Sequence, residues 1–313
     1  MPVFAIVLLA AAAPLLLFAF SILLLFRICI ARLDIPRRVG DRHAFYAPWA
    51  DEIRRDEAWF IAQEPEDVSI LSRDGLRLRA WFLPCANARG ALLLLHGYRG
   101  DGVRDMAGAA RFYRRLGYHV LLPDHRAHGR SEGRYITFGV RERYDCLDWT
   151  AWLDARLGGG APLYLDGVSM GAASALMASA LPLPETVRGI IADCGFTTPR
   201  AIFARVARHT LHMPPWLLLP PVEFLTRRLA GFGLDDASAP AALAENDRPV
   251  LFVHGEADDF IPFSMSEENY AACRGEKTLL LVPGAGHGVS WFVDRPGCEA
   301  ALRAFFARRD DAE

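Results

Sequence analysis

Six short apolar runs constrain the fold of this chain more than any other feature. They occupy residues 91–95, 119–122, 163–165, 187–192, 250–253 and 278–282. None alternates apolar with polar, so each suits a strand buried on both faces. The intervals between them carry helical patterns, as at 139–157 and 170–180. Strands alternating with helices build an α/β fold around a mostly parallel central sheet flanked by helices. A hairpin precedes the series. Residues 68–72 and 76–82 read as its strands, joined across Asp74-Gly75, a strong turn signal. One interval, between Asp193 and Val250, is too long for a single helix. It holds Pro214, Pro215, Pro220 and Pro221 around Trp216-Leu217-Leu218-Leu219. Paired prolines break regular helix, so residues 196–246 read as a helical excursion capping the sheet.

The 313 residues are 52% hydrophobic and 23% charged, which excludes a disordered chain. A formal charge of −2 gives no electrostatic footprint for nucleic acid. The six cysteines are scattered without a Cys-x-x-Cys pair, against a zinc ribbon, a redox pair or a disulfide framework. No dinucleotide fingerprint or P-loop is present, and no cofactor is expected.

The amino-terminal end reads differently. Residues 3–26 carry no charge, and as a helix they would reach about 36 Å, against a hydrocarbon core of about 30 Å. Pro14 lies inside, which membrane helices tolerate. A cleaved signal peptide would want a basic start, a shorter core and a small-residue cleavage site. We therefore read residues 1–30 as a single-pass anchor in the cell membrane, with the lipid bilayer as a partner. Arg27, Arg32, Arg37, Arg38 and Arg42 outnumber Asp34 and Asp41 after it, which places the following body in the cytoplasm. Residues 31–66 form a juxtamembrane segment. Within it, 50–63 is an amphipathic helix lying either on the bilayer surface or on the body. Residues 67–313 are the functional domain. A chain starting near Asp41 is expected to be soluble and still active, because every candidate site residue lies beyond Leu95.

Gly167-Val168-Ser169-Met170-Gly171 stands between a strand run and a helix rich in small residues. Such a turn projects Ser169 outward, and its glycines keep Cβ atoms out of the strand and helix alongside. A serine hydroxyl needs a base oriented by a third group. Asp258, after the run at 250–253, is the candidate acid. His287, in Gly286-His287-Gly288 after the run at 278–282, is the candidate base. Asp259 and Asp193 are alternative acids, and His254 is expected to be a structural loop histidine. The backbone N–H groups of Tyr98, in His96-Gly97-Tyr98-Arg99-Gly100, and of Met170 are the candidate oxyanion donors. Asp124, His125 and His128, or His209 and His212, could be drawn as metal ligands, but neither set is expected to bind a metal.

These motifs, with Asp124-His125-Arg126-Ala127-His128-Gly129-Arg130-Ser131-Glu132-Gly133 between them, resemble the α/β-hydrolase superfamily from about residue 67 to 310. Within it the chain is similar to membrane-anchored bacterial hydrolases related to serine aminopeptidase-like and ABHD-type proteins. The resemblance implies an α/β-hydrolase fold and hydrolysis of an ester, thioester or amide through an acyl-enzyme. Ala127 departs from it, since relatives often carry glycine there. An ester or thioester with a small-molecule or acyl substrate is the favoured expectation, and residues 216–219 could line an acyl pocket. A peptidase would need an acidic subsite for the substrate amine, for which Glu223, Asp235 and Asp236 are candidates. A non-catalytic scaffold acting as a binding module is the remaining alternative, and the oligomeric state is left open.

Overall fold

The structure, a computed structural model, describes residues 2–33 and 44–310, with side chains over 13–33 and 46–308. An eight-stranded sheet organises it. The strands are β1 (Glu66–Leu71), β2 (Arg77–Leu83), β3 (Gly90–Leu95), β4 (Tyr118–Pro123), β5 (Leu163–Val168), β6 (Val187–Asp193), β7 (Val250–Gly255) and β8 (Lys277–Val282). Their spatial order is β1-β2-β4-β3-β5-β6-β7-β8. β2 runs antiparallel to both β1 and β4, and every later pairing is parallel. The six apolar runs thus fall on β3 to β8, and the Asp-Gly turn joins β1 to β2, with Gly75 at φ +87.

The helices are α1 (Pro2–Cys29), α2 (Ala50–Ile61), α3 (Gly102–Arg115), α4 (Glu142–Arg156), α5 (Met170–Ala178), α6 (Pro199–His209), α7 (Pro215–Leu225), α8 (Ala239–Ala244), α9 (Ser264–Ala272), α10 (Ser290–Val293) and α11 (Arg295–Asp310). They cover both faces of the sheet. Leu93 and Leu95 of β3 enter one core cluster, and Leu92 and Leu94 enter the other. That two-sided burial explains why the apolar runs of β3, β5 and β7 do not alternate.

Local chemistry sets several boundaries. Thr198 caps α6 by accepting the Ala201 N–H at 3.0 Å, with Pro199 in the first turn. The helix expected from 139 begins only at Glu142, because Phe138 and Gly139 hold positive φ angles. The Glu142 carboxylate instead accepts the N–H groups of Thr137 and Gly139, at 2.8 and 2.9 Å. Pro220 and Pro221 were expected to break a helix, yet both lie inside α7. The carbonyls their missing N–H groups would have served belong to Trp216 and Leu217, both exposed residues, where the lost bonds cost least. Residues 226–230 follow as a π-helical turn.

The two ends of the juxtamembrane segment behave differently from a linker. α2 packs on α3, with Ile53 and Phe60 buried and Asp56 paired to Arg111 at 3.1 Å. Of the two places offered for it, the structure shows the one on the body. The end of α1 also joins the body. Ile22, Phe26 and Ile30 are buried in the larger core cluster, and Ala31 bridges Tyr135. Among the described residues no helix is long and apolar enough to cross a membrane. Residues 3–12 of the expected anchor have no described side chains, and Asp34, Arg37, Arg38, Asp41 and Arg42 lie outside the described residues.

Candidate active site

Ser169 occupies the turn between β5 and α5 with φ 55 and ψ −113, a conformation that costs an L-residue roughly 1–3 kcal/mol. The turn is enforced by close packing. A Cβ on Gly167 would strike the backbone of Gly171 and Ala172, and one on Gly171 would strike the backbone of Leu95 and His96. The Ser169 N–H is held by the carbonyl of Asp193 at 2.8 Å. The side chain is thereby aimed over the carboxyl ends of the strands, where an open parallel sheet collects its functional loops.

Asp258 and His287 come to it from the loops after β7 and β8, beyond the intervening β6. His287 Nε2 lies 2.9 Å from Ser169 Oγ, and His287 Nδ1 lies 2.7 Å from Asp258 Oδ2. Asp258 Oδ1 accepts the N–H groups of Phe260 and Ile261, at 3.0 and 2.8 Å. Burial opposes ionisation of Asp258. Hydrogen bonds from His254 and His287 outweigh it and hold the carboxyl below the usual carboxylate range. Asp259, one residue on, is exposed, and its carbonyl accepts from Arg205. Asp193 turns elsewhere: Ser290 donates to its Oδ1 at 3.2 Å, and burial raises its pKa to about 6.

His254 was expected on a loop. It lies within β7, fully buried, and its Nε2 reaches Asp258 Oδ2 at 3.2 Å and the Ile261 carbonyl at 2.9 Å. Its Nδ1 pairs with Ser266 Oγ at 2.7 Å. Asp258 therefore faces two imidazoles. The four-residue spacing of His254 and Asp258 was the available signal for that contact.

The β3–α3 loop lies against the nucleophile: a Cβ on Gly97 would sit 3.6 Å from Ser169 Cβ. Three buried histidines shape that loop. His96 Nε2 accepts the His125 N–H at 2.9 Å, while its Nδ1 meets the Gly97 carbonyl at 2.7 Å. His128 Nε2 accepts the Arg99 N–H at 3.0 Å. Burial lowers His125 to about 4 and His128 to about 3, so both are neutral at pH 7. Their ring nitrogens serve backbone groups of the same loops. Among the described residues, one group of three could hold a metal ion: Cys194, Asp258 and His287, two of them already bonded to each other. His209 and His212 have no part in it.

An apolar cavity of about 220 Å³ opens beside Ser169, Met170 and Tyr98. Leu218 lines it, whereas Trp216 is 75% exposed and does not. No carboxylate lines it. Glu223 and Asp235 pair with Arg200, and Asp236 with Arg227, so none is turned into the cavity.

The sequence profile described as alpha/beta hydrolase fold matches residues 90–239. An uncharacterized protein of Mycobacterium tuberculosis is 30% identical over 268 residues, spanning 84% of this chain and 86% of its own. The YqkD protein of Bacillus subtilis is 26% identical over 253 residues, 81% of this chain and 83% of its own. A lysophosphatidylserine lipase of the ABHD type from Danio rerio is 29% identical over 203 residues, 60% of this chain and 48% of its own. Among solved structures, the Pyrococcus furiosus esterase Pf2001 superposes with a TM-score of 0.65 at 21% identity, covering 89% of this chain and 98% of its own.

Proposed function

The chain belongs to the α/β-hydrolase superfamily, and from that premise we propose that it is a serine hydrolase cleaving a carboxylic ester or thioester through an acyl-enzyme on Ser169. The observation that carries the reading is the unbroken contact from Ser169 Oγ through His287 to Asp258. In this mechanism His287 Nε2 takes the hydroxyl proton as Oγ attacks the acyl carbon. Asp258 fixes the tautomer with a proton on Nδ1 and stabilises the imidazolium that forms. The N–H groups of Tyr98 and Met170 receive the developing oxyanion, Met170 being the first residue of α5. His287 then returns the proton to the leaving oxygen or sulfur. Water repeats the sequence to release the acid. An apolar cavity free of carboxylates favours an acyl group over an aminoacyl group.

The test is labelling with a fluorophosphonate. The intact protein should be labelled and Ser169→Ala should not, with its thermal unfolding unchanged. Strong labelling of the alanine variant would remove Ser169 from the role.

We further propose that residues 3–26 anchor the chain in a membrane with the body on the cytoplasmic side. The support is the uncharged run followed by an arginine-rich flank.

A further inference from the structure

The cavity beside Ser169 is not closed by the hydrolase body alone. Leu25, Phe26, Cys29 and Ile30, from the last two turns of α1 and the residue after it, form one wall. Val206 of α6 and Val222 of α7 belong to the cap that forms another. α1 and α7 pack directly against each other, so the two walls meet. Polar groups along the lining are few: Ser169, the Tyr98 hydroxyl, the Cys29 thiol and Thr210. The Tyr98 hydroxyl is itself turned away, donating to the Cys29 carbonyl at 2.8 Å.

An apolar cavity of this kind offers a ligand dispersion contacts and dehydration, and nothing that recognises charge. Its polar end is Ser169. We propose that the cavity takes one long unbranched acyl chain, ester-linked at Ser169 during turnover, and that the end of α1 sets how long a chain it accepts. The substrate is then a single-chain fatty acyl ester, and Leu25 is a specificity-determining residue contributed from outside the hydrolase body. The outer surfaces of the same two helices are apolar as well, with Leu23 on α1 and Phe224 on α7 exposed. That surface suits a substrate delivered from a lipid phase. The proposal rests on Ser169 being the nucleophile. It adds the identity of the acyl group and the element that measures it.

Each methylene buried in an apolar site strengthens binding ~4-fold. Displacing two or three methylenes is therefore visible in kinetics. The experiment compares kcat/KM for p-nitrophenyl butyrate and p-nitrophenyl dodecanoate, using the full chain in detergent micelles. The intact protein should prefer dodecanoate by at least ~10-fold. Leu25→Trp, which fills the wall, should lower the dodecanoate-to-butyrate ratio by at least ~10-fold. Val206→Trp should do the same from the cap wall and stands in if Leu25→Trp does not fold. Leu24→Trp, on the exposed side of α1, should leave the ratio as in the intact protein. Ser169 labelling is measured in every variant. Butyrate hydrolysis with no gain for dodecanoate, or a ratio unmoved by both wall variants in labelled protein, overturns the acyl-chain proposal and leaves the serine hydrolase standing. No hydrolysis of either ester and no labelling of the intact protein overturns both.

Discussion

Asp258 and Asp259 are neighbours in sequence with opposite surroundings. Asp258 is buried and receives two backbone N–H groups and two imidazoles, while Asp259 faces solvent. Asp258→Asn should therefore lower kcat by ~10⁴-fold, because an amide cannot fix the tautomer or stabilise the imidazolium. Asp259→Asn should change it less than about twofold, as surface substitutions generally do. Steady-state kinetics on a soluble ester checks this, and the reverse ranking would move the acid by one position. Ala127, the residue at which the sequence departs from the expected loop pattern, sits at φ +60 with its side chain buried. The left-handed conformation costs an L-residue ~1–2 kcal/mol, so glycine relieves strain that alanine tolerates. Ala127→Gly should shift the unfolding free energy by less than ~1 kcal/mol. Ala127→Val should destabilise by more than ~2 kcal/mol, because a β-branched residue at this φ is an outlier. Equal stabilities in urea would show that this backbone relaxes freely. Asp166 supplies a pH signature. Burial raises its pKa to about 7, against the hydrogen bond from Tyr113 at 2.7 Å. Its folded pKa exceeds the unfolded value, so the native state binds the extra proton between about pH 4 and 7. The stability this contributes is full below pH 4 and is lost as pH rises through 7. Asp166→Asn should become progressively more stable relative to the intact protein from pH 4 to 7, by at most ~1.4 kcal/mol per pH unit. A difference constant with pH would show that the carboxyl is ionised throughout.

The end of α1 is the element whose role differs most from the sequence reading. A chain beginning near Asp41 was expected to keep its activity because no candidate site residue precedes Leu95. The structure ties α1 to the site by a different route. Arg99, in the loop that carries Tyr98, donates to the carbonyls of Ile28 and Ala31, while its Nε reaches the Tyr98 hydroxyl at 2.7 Å. Burial of Ile22, Phe26 and Ile30 contributes roughly 5–9 kcal/mol in area terms, comparable with the net stability of a whole domain. The shortened chain should therefore unfold at lower temperature. Whatever remains folded should hydrolyse a short ester ~10²-fold more slowly, since misplacing an oxyanion donor costs about that much. Arg99→Lys separates the two effects. A lysine cannot reach three acceptors in fixed geometry, so kcat should fall for a short ester while KM and thermal stability stay close to those of the intact protein. Full activity in both proteins would mean the loop holds its shape unaided. This contact was invisible in the sequence because a uniformly apolar helix has no distinctive face; inner Ile22 and Phe26 look like outer Leu23 and Leu24. The sheet was legible for the opposite reason. Two-sided burial forces continuous apolar runs, and each of the six runs lies on a parallel strand. The glycines at 167 and 171 were legible too, since only glycine fits where strand, turn and helix backbones touch. The late start of α4 at Glu142 and the prolines inside α7 were not, because a glutamate carboxylate and solvent exposure, rather than local propensity, decide them.

At the scale of the whole molecule, charge and apolar surface are divided along the chain. The body carries many ion pairs, with Arg126 buried between Asp74 and Asp145 as the extreme case. The exposed side of α1 is apolar instead: Leu16, Phe20 and Leu23 follow one another along the helix at 50–70% exposure. On α7, which packs against α1, Trp216 and Phe224 are exposed too. An apolar helix surface needs either protein or lipid around it, and among the described residues of α1 the buried ones lie in its last turns. An α1 embedded in a bilayer would satisfy the rest and bring the cap, with the acyl cavity beneath it, against the lipid surface. The arginines after residue 26 would then lie on the cytoplasmic side. Protein expressed in its native host should accordingly sediment with membranes, resist extraction by alkaline carbonate and retain its amino terminus. The side is read by protease treatment of spheroplasts. An intact body before lysis, digested after it, is the expected result. Digestion without lysis would place the body outside and overturn the orientation. Extraction by carbonate alone would show a helix that docks on a lipid surface or a protein partner without crossing, and a mature chain beginning after residue 26 would show that the segment is cleaved.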